Sequence, residues 1–204
     1  MERRTTFDTA TADPIDVSKL MLGLVVPRPI GWVGSVDEDG RHNLAPFSFY
    51  NVVSAKPPTV VFSPGTRRGA EKDTLANVRR TGEFTLSVVT EEVADAMVLT
   101  SGDYPPDVDE FEIAGLTARR GDAVAAPLVA EARAVLECEV TQVVDVGDPP
   151  ANSVVFGRVL RIHVDPEVLD GTRVRPEELK AVGRMAGDGY TTTAGSLFSR
   201  TRPR

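Results

Sequence analysis

At 204 residues, with 41% hydrophobic residues and 17 Gly, the chain fits one domain whose core can bury about 70% of the unfolded surface, which excludes wholesale disorder. Twenty-three Lys and Arg against 30 Asp and Glu leave a net charge of −7, which argues against a nucleic-acid partner. The single cysteine, Cys138, excludes an intrachain disulfide and a multi-thiolate metal centre, and the distant pair His42 and His163 offers no local metal-ligand spacing.

The N-terminal Met-Glu-Arg-Arg-Thr-Thr leads into Asp8 and Asp13, not into an apolar signal-peptide core. No apolar run approaches roughly 18 residues, so no membrane span is predicted and the chain reads as cytoplasmic. Asp13-Pro14 has the pattern of an N-cap with proline at the first helical position, and Leu20, Met21 and Leu24 fall on one face of the short helix that follows. Trp32 to Val36 reads as a strand, closed by the turn Asp37-Glu-Asp-Gly40, with His42 to Phe47 returning. Thr59 to Ser63, between Pro57-Pro58 and Pro64-Gly65, is a third strand, and Phe84 to Val89 a fourth. Asp73 is read as the cap of a helix through Arg80, with Leu75, Val78 and Arg79 on one side and Gly82 as its stop. Thr90 caps a second helix carrying Val93, Ala94, Met97 and Val98 at helical spacing. The acidic stretch from Asp103 to Glu112 reads as a solvated surface loop.

From Val135 to Val144, Leu136, Cys138, Val140, Gln142 and Val144 alternate with Glu137, Glu139 and Thr141, which predicts a strand with one polar, exposed face. Val154 to Val164 is apolar on both faces and returns through the Gly/Pro/Asn-rich connection 145–153. On this pattern Cys138 is a core thiol, His42 a solvent-exposed neighbour of the turn, and His163 a structural residue at a strand end. The reading is mainly β: an antiparallel barrel with a few short peripheral helices, one domain over 1–204 with its core at about 16–190.

Familiar nucleotide and hydrolase fingerprints fail. Gly65-Thr-Arg-Arg-Gly69-Ala-Glu-Lys72 lacks Walker A spacing, no G-x-G-x-x-G joins a strand to a helix, and there is no G-x-S-x-G elbow. What stands out is Asn43-Leu-Ala-Pro-Phe-Ser-Phe-Tyr-Asn51, where small polar side chains alternate with aromatic ones around a strand-breaking Pro46. Such a segment can present backbone donors and acceptors to a flat heteroaromatic ligand; a kinked barrel strand that satisfies its own polar groups has the same pattern.

Taken together, Val26-Pro-Arg-Pro-Ile-Gly-Trp32, Asp37-Glu-Asp-Gly40, Asn43-Leu-Ala-Pro-Phe-Ser-Phe49, Pro57-Pro58, Lys72-Asp-Thr74 and Thr81-Gly-Glu-Phe84 resemble the flavin reductase-like family, in the expected order from about Asp16 to Tyr190. That resemblance implies an FMN-binding split barrel, with FAD less favoured, that transfers hydride from NAD(P)H to flavin as a homodimer and serves a flavin-dependent monooxygenase. An electron-transfer, storage or sensing flavoprotein without NAD(P)H turnover is the alternative. The resemblance places Asn43, Ala45, Pro46, Phe47 and Ser48 along the isoalloxazine ring and Ser35 and Ser63 near the ribityl chain; Trp32 reads as either barrel core or a wall of the flavin site. Lys72 and Thr74 fall at the phosphate with Asp73 as the helix cap, and Arg67 and Arg68 add positive potential. Arg184-Met-Ala-Gly-Asp-Gly-Tyr190 resembles an Arg-x-Gly-Gly-x-x-Tyr segment, with Ala186 in place of the first Gly, and makes Arg184 and Tyr190 further candidates. No side chain is assigned as catalytic acid, base or nucleophile.

Overall fold

The computed structural model describes residues 4–66, 70–147, 150–195 and 197–200. Helix α1 (Pro14–Leu24) begins as its sequence dictates, with Asp13 accepting from the Ile15 N–H at 2.7 Å and Pro14 at the first position. Short β1 (Arg28–Pro29) precedes β2 (Gly31–Val36), β3 (His42–Phe47), β4 (Tyr50–Ala55) and β5 (Pro58–Phe62). Helix α2 (Asp73–Thr81) and β6 (Glu83–Val88) follow, then a 3-10 turn leading into α3 (Ala94–Leu99) and a short α4 (Glu110–Ile113). Two-residue strands β7 (Ala118–Arg119) and β8 (Leu128–Val129) precede the long hairpin of β9 (Ala134–Gly147) and β10 (Pro150–Val164). The chain ends with β11 (Leu169–Asp170), β12 (Arg173–Val174), α5 (Pro176–Leu179), β13 (Val182–Arg184) and β14 (Tyr190–Thr192).

Seven strands join in the order β3-β2-β6-β9-β10-β5-β4, every neighbouring pair antiparallel, and β1-β13-β14 form a smaller sheet. The two ends of this sheet, β3 and β4, are consecutive in the chain and joined by Ser48 and Phe49 alone. The sheet thus curls back on itself without a ladder between its first and last strands: an antiparallel split barrel whose seam lies at residues 46–50. Pro46 sits on the edge strand β3, where its missing N–H costs no central ladder bond.

Alternation on the first hairpin feeds two cores. Val33, Phe47, Phe62, Leu75, Val78, Phe84 and Val155 fill the barrel interior. Trp32 and Leu44, on the opposite face, pack with Val89, Met97, Phe111 and Val129 beneath α3 and α4. Gly82 ends α2 in the left-handed region (φ 73°), a conformation open to glycine without a Cβ clash.

Several expectations need correction. The N-cap of α2 is Lys72; Asp73 is the first helical residue and makes no side-chain cap, and Arg79 points to solvent, pairing with Glu71 and Asp145. Tyr50–Ala55 is a strand of its own, hidden in sequence because only two residues separate it from β3. Glu137 is fully buried instead of exposed, because the 121–125 segment covers that face of β9 and donates the Ala123 and Val124 N–H groups to its carboxylate. The acidic 103–112 stretch is not wholly solvated, since Glu110 turns inward and is buried. His42 is half-buried, edge-on to the Phe111 ring. No helix among the described residues is long and apolar enough to cross a membrane.

Candidate functional site

Two cavities, of about 540 and 620 Å³, meet at Pro46 and Lys72 on the barrel seam. The larger runs along Phe47, Ser48 and Phe49, with Ser63 and Gly65 after β5, Asn152 at the start of β10, Arg28, and Arg184 to Gly187 around it. The smaller lies over Asn43, Ala45, Thr66 and the first turn of α2, and is bordered by Thr100 to Tyr104 and Glu110. Ser48, Phe47, Ala45, Pro46, Asn43, Ser63, Lys72, Asp73, Thr74 and Arg184 are therefore brought together, as their chain positions across β3, β5, α2 and β13 do not by themselves require.

Other sequence candidates lie behind the surface. Trp32 is fully buried in the second core and its indole N–H donates to Thr100 Oγ1 at 2.8 Å, so it is core packing and not a cavity wall. Ser35 is likewise fully buried and lines neither cavity; its hydroxyl donates to Asn43 Oδ1 at 3.2 Å and accepts from Asn77 Nδ2 at 3.2 Å. Thr74 is almost fully buried, and its hydroxyl donates to the same Asn43 oxygen at 2.7 Å. Tyr190 lines neither of the two cavities; its ring stacks under the Arg184 guanidinium at 4.6 Å, while Arg184 Nη2 donates to Gly187 O at 2.5 Å. Arg67 and Arg68 lie outside the described residues.

Sequence reasoning passed over two residues that hold the site together. Glu110 accepts from Asn43 Nδ2 at 3.1 Å and from the Leu44 N–H at 3.0 Å, so it fixes which way the Asn43 amide faces. Burial pushes its carboxyl above the ordinary range, with Asp109 and Asp73 adding like charge, while the Leu44 N–H pulls the other way. Arg28, also buried, donates to Leu22 O, Val25 O, Met185 O and Ser48 Oγ. Neither carries a spacing code: one sits in an acidic run that reads as solvated, the other between two prolines. Elsewhere, burial pushes the Cys138 thiol up to about 12 and the Tyr50 phenol up to about 12, so neither ionises near neutrality.

The donor set suits a planar ligand with an anionic tail. At the Lys72 end, α2 starts without a side-chain cap, its dipole positive end turned to the cavity beside the ammonium, which lies 5.3 Å from the Phe47 ring centroid. Along the seam, the Ser48 and Ser63 side chains line the larger cavity.

Comparison with known proteins agrees in one direction. A family model described as a flavin reductase like domain matches residues 22–177. An uncharacterized protein of Aquifex aeolicus is 44% identical over 179 residues, covering 87% of this chain and 90% of that one. The crystal structure of nitrilotriacetate monooxygenase component B from Bacillus cereus superposes with a TM-score of 0.94 at 32% identity, covering 98% of this chain and all of that one. That of Pseudomonas fluorescens 2-nitrobenzoate 2-nitroreductase gives 0.87 at 27% identity, covering 97% and 96%.

Proposed function

The chain belongs to the flavin reductase-like family, and from that premise we propose that it binds FMN, reduces it with hydride from NADH or NADPH, and supplies reduced flavin to a partner monooxygenase. The observation that carries this reading is the pair of cavities meeting at the barrel seam, with serine hydroxyls at one end and a cation with a helix start at the other. Both volumes fall in the roughly 300–1,000 Å³ range of sites for drug-sized ligands. The partner follows from likeness to a protein described as a monooxygenase component.

FMN, when bound, supplies the two-electron chemistry, so the chain needs no nucleophile of its own. Its residues bind and orient. Lys72 and the first turn of α2 hold the phosphate. Ala45, Pro46, Phe47 and Ser48 line the ring, with Ser63 at the ribityl chain and Arg184 closing the far side. Asn43 acts from between, held by Glu110, Thr74 and Ser35, so Thr74 and Ser35 work through it and not by direct contact.

The working unit is a homodimer. Leu160 and Ile162 on β10 are exposed, so nothing among the described residues covers this apolar stretch. A twofold partner would bury this apolar face, and sedimentation at micromolar concentration is expected to show twice the chain mass; a monomer with full FMN occupancy would overturn it.

Anaerobic mixing of the FMN-loaded protein with NADH or NADPH is expected to bleach the flavin. Flavin that stays oxidised with either would favour electron transfer or storage instead. Lys72→Ala is expected to weaken FMN binding by about 1.5–3 kcal/mol, the cost of a hydrogen bond to a charged group, and to spare riboflavin, which lacks the phosphate. Equal losses for both ligands, read by fluorescence titration, would remove Lys72 from the phosphate.

A further inference from the structure

Arg28 is a guanidinium only 7% exposed, and among the described residues no carboxylate lies within ion-pair distance of it. Its hydrogen bonds go to three backbone carbonyls, Leu22 O at 2.7 Å, Val25 O at 2.9 Å and Met185 O at 3.2 Å, and to Ser48 Oγ at 3.3 Å. A buried charge without a counter-charge is costly, and carbonyl dipoles offset it only in part. Arg28 also lines the larger cavity, so its field reaches whatever occupies that space.

Ser48 links this charge to the cavity. Its oxygen accepts from Arg28 Nε, which leaves the hydroxyl proton to be donated elsewhere. Ser48 is half-buried and lines the same cavity, and no acceptor for that proton is found among the described residues. A guanidinium bonded to the oxygen polarises the O–H and makes it a stronger donor, as in other charge-assisted chains.

We infer that Arg28 is a positioning residue that turns the Ser48 hydroxyl into the larger cavity as a donor and, by its uncompensated charge, biases the site toward a ligand that gains negative charge. The inference rests on the flavin reading: FMN takes up two electrons and a proton as hydride from NAD(P)H and becomes anionic, so the Arg28–Ser48 pair stabilises the reduced form over the oxidised one. Arg28 thereby sets the reduction potential without touching the ring.

The test is equilibrium redox titration of FMN-loaded wild type, Ser48→Ala, Arg28→Lys and Arg28→Gln, alongside the dissociation constant of oxidised FMN for each. Ser48→Ala is expected to raise the ratio of reduced to oxidised dissociation constants about tenfold, a fall of about 30 mV for a two-electron couple. Arg28→Gln should lower the potential at least as far. Because Arg28 also ties the end of α1 to Met185, that variant could fail to fold; Arg28→Lys keeps the charge and is expected to stay near the wild-type potential while losing thermal stability. Unchanged potential in Ser48→Ala, or a drop in Arg28→Lys as large as in Arg28→Gln, would overturn the inference. Wild-type protein that takes up no FMN would overturn it together with the flavin reading, whereas FMN uptake with potentials unmoved overturns this inference alone.

Discussion

Replacing Glu137 with alanine is expected to cost about 3–5 kcal/mol in a denaturant titration, the largest loss we assign to any polar side chain here. Glu137 is fully buried on β9, beside Cys138 of the barrel core. One carboxylate oxygen accepts from the Ala123 and Val124 N–H groups at 2.6 and 3.0 Å; the other meets His163 Nε2 of β10 at 2.6 Å. Removing it orphans two backbone donors, at about 1–3 kcal/mol each, and leaves a cavity. The pH dependence follows the same contacts. Burial raises the carboxyl, but the hydrogen bonds from His163, Ala123 and Val124 outweigh it, so the group sits below its ordinary value of 4.5. A depressed carboxyl stabilises the fold above the unfolded-state value and loses that stabilisation as pH falls through the folded one. The gap between wild type and Glu137→Gln, which cannot ionise, should therefore be full at neutral pH and shrink in acid. A loss under about 1 kcal/mol for Glu137→Ala, or a gap that widens in acid, would show that the 121–125 segment does not depend on this carboxylate.

Period-two alternation separates two faces but cannot say what covers each. On β9 the polar face is roofed by the loop between β7 and β8, a non-local event with no trace in the strand's own pattern. Local chemistry was legible: Asp13-Pro14 caps α1, the Asp37 to Gly40 turn pairs Val36 with His42, and Gly82 stops α2. Across the candidate site the division is similar. Asn43 to Ser48, Ser63 and Lys72 reach the cavities because the motif segments that carry them converge at the seam. Trp32 and Ser35 do not, because β2 is a central strand buried on both faces, so every side chain on it points into packing. The separation of β3 and β4 to opposite edges of one sheet, which creates the seam, depends on the whole strand order and is invisible in the residues that line it.

The same dependence on distant packing governs Gly157. It lies on β10, opposite Val140 of β9 and Val60 of β5, at a register shift in the β9 ladder between Phe156 and Gly157. A methyl group there would overlap the edge of the Phe84 ring, 2.7 Å from Cε1, and would stand 3.3 Å from Cys138 Cβ. Phe84 has little room to withdraw: it is fully buried, and the Phe62 ring meets it edge-on at 5.1 Å between centroids. Overpacking of this kind costs about 1–3 kcal/mol and more where backbone must shift, as it must between two paired strands. The entropy gained by replacing glycine, about 0.4–1 kcal/mol, offsets only part. Gly157→Ala is therefore expected to destabilise the protein by about 2–3 kcal/mol in a denaturant titration. The cause can be separated from a backbone effect by shortening the obstacle. Phe84→Leu destabilises alone by leaving space in the core, and that space is where the new methyl goes, so the double variant should lose less than the two single losses together, by about 1 kcal/mol or more. Additive losses would mean that the strain at Gly157 lies in the β10 backbone and not against the Phe84 ring.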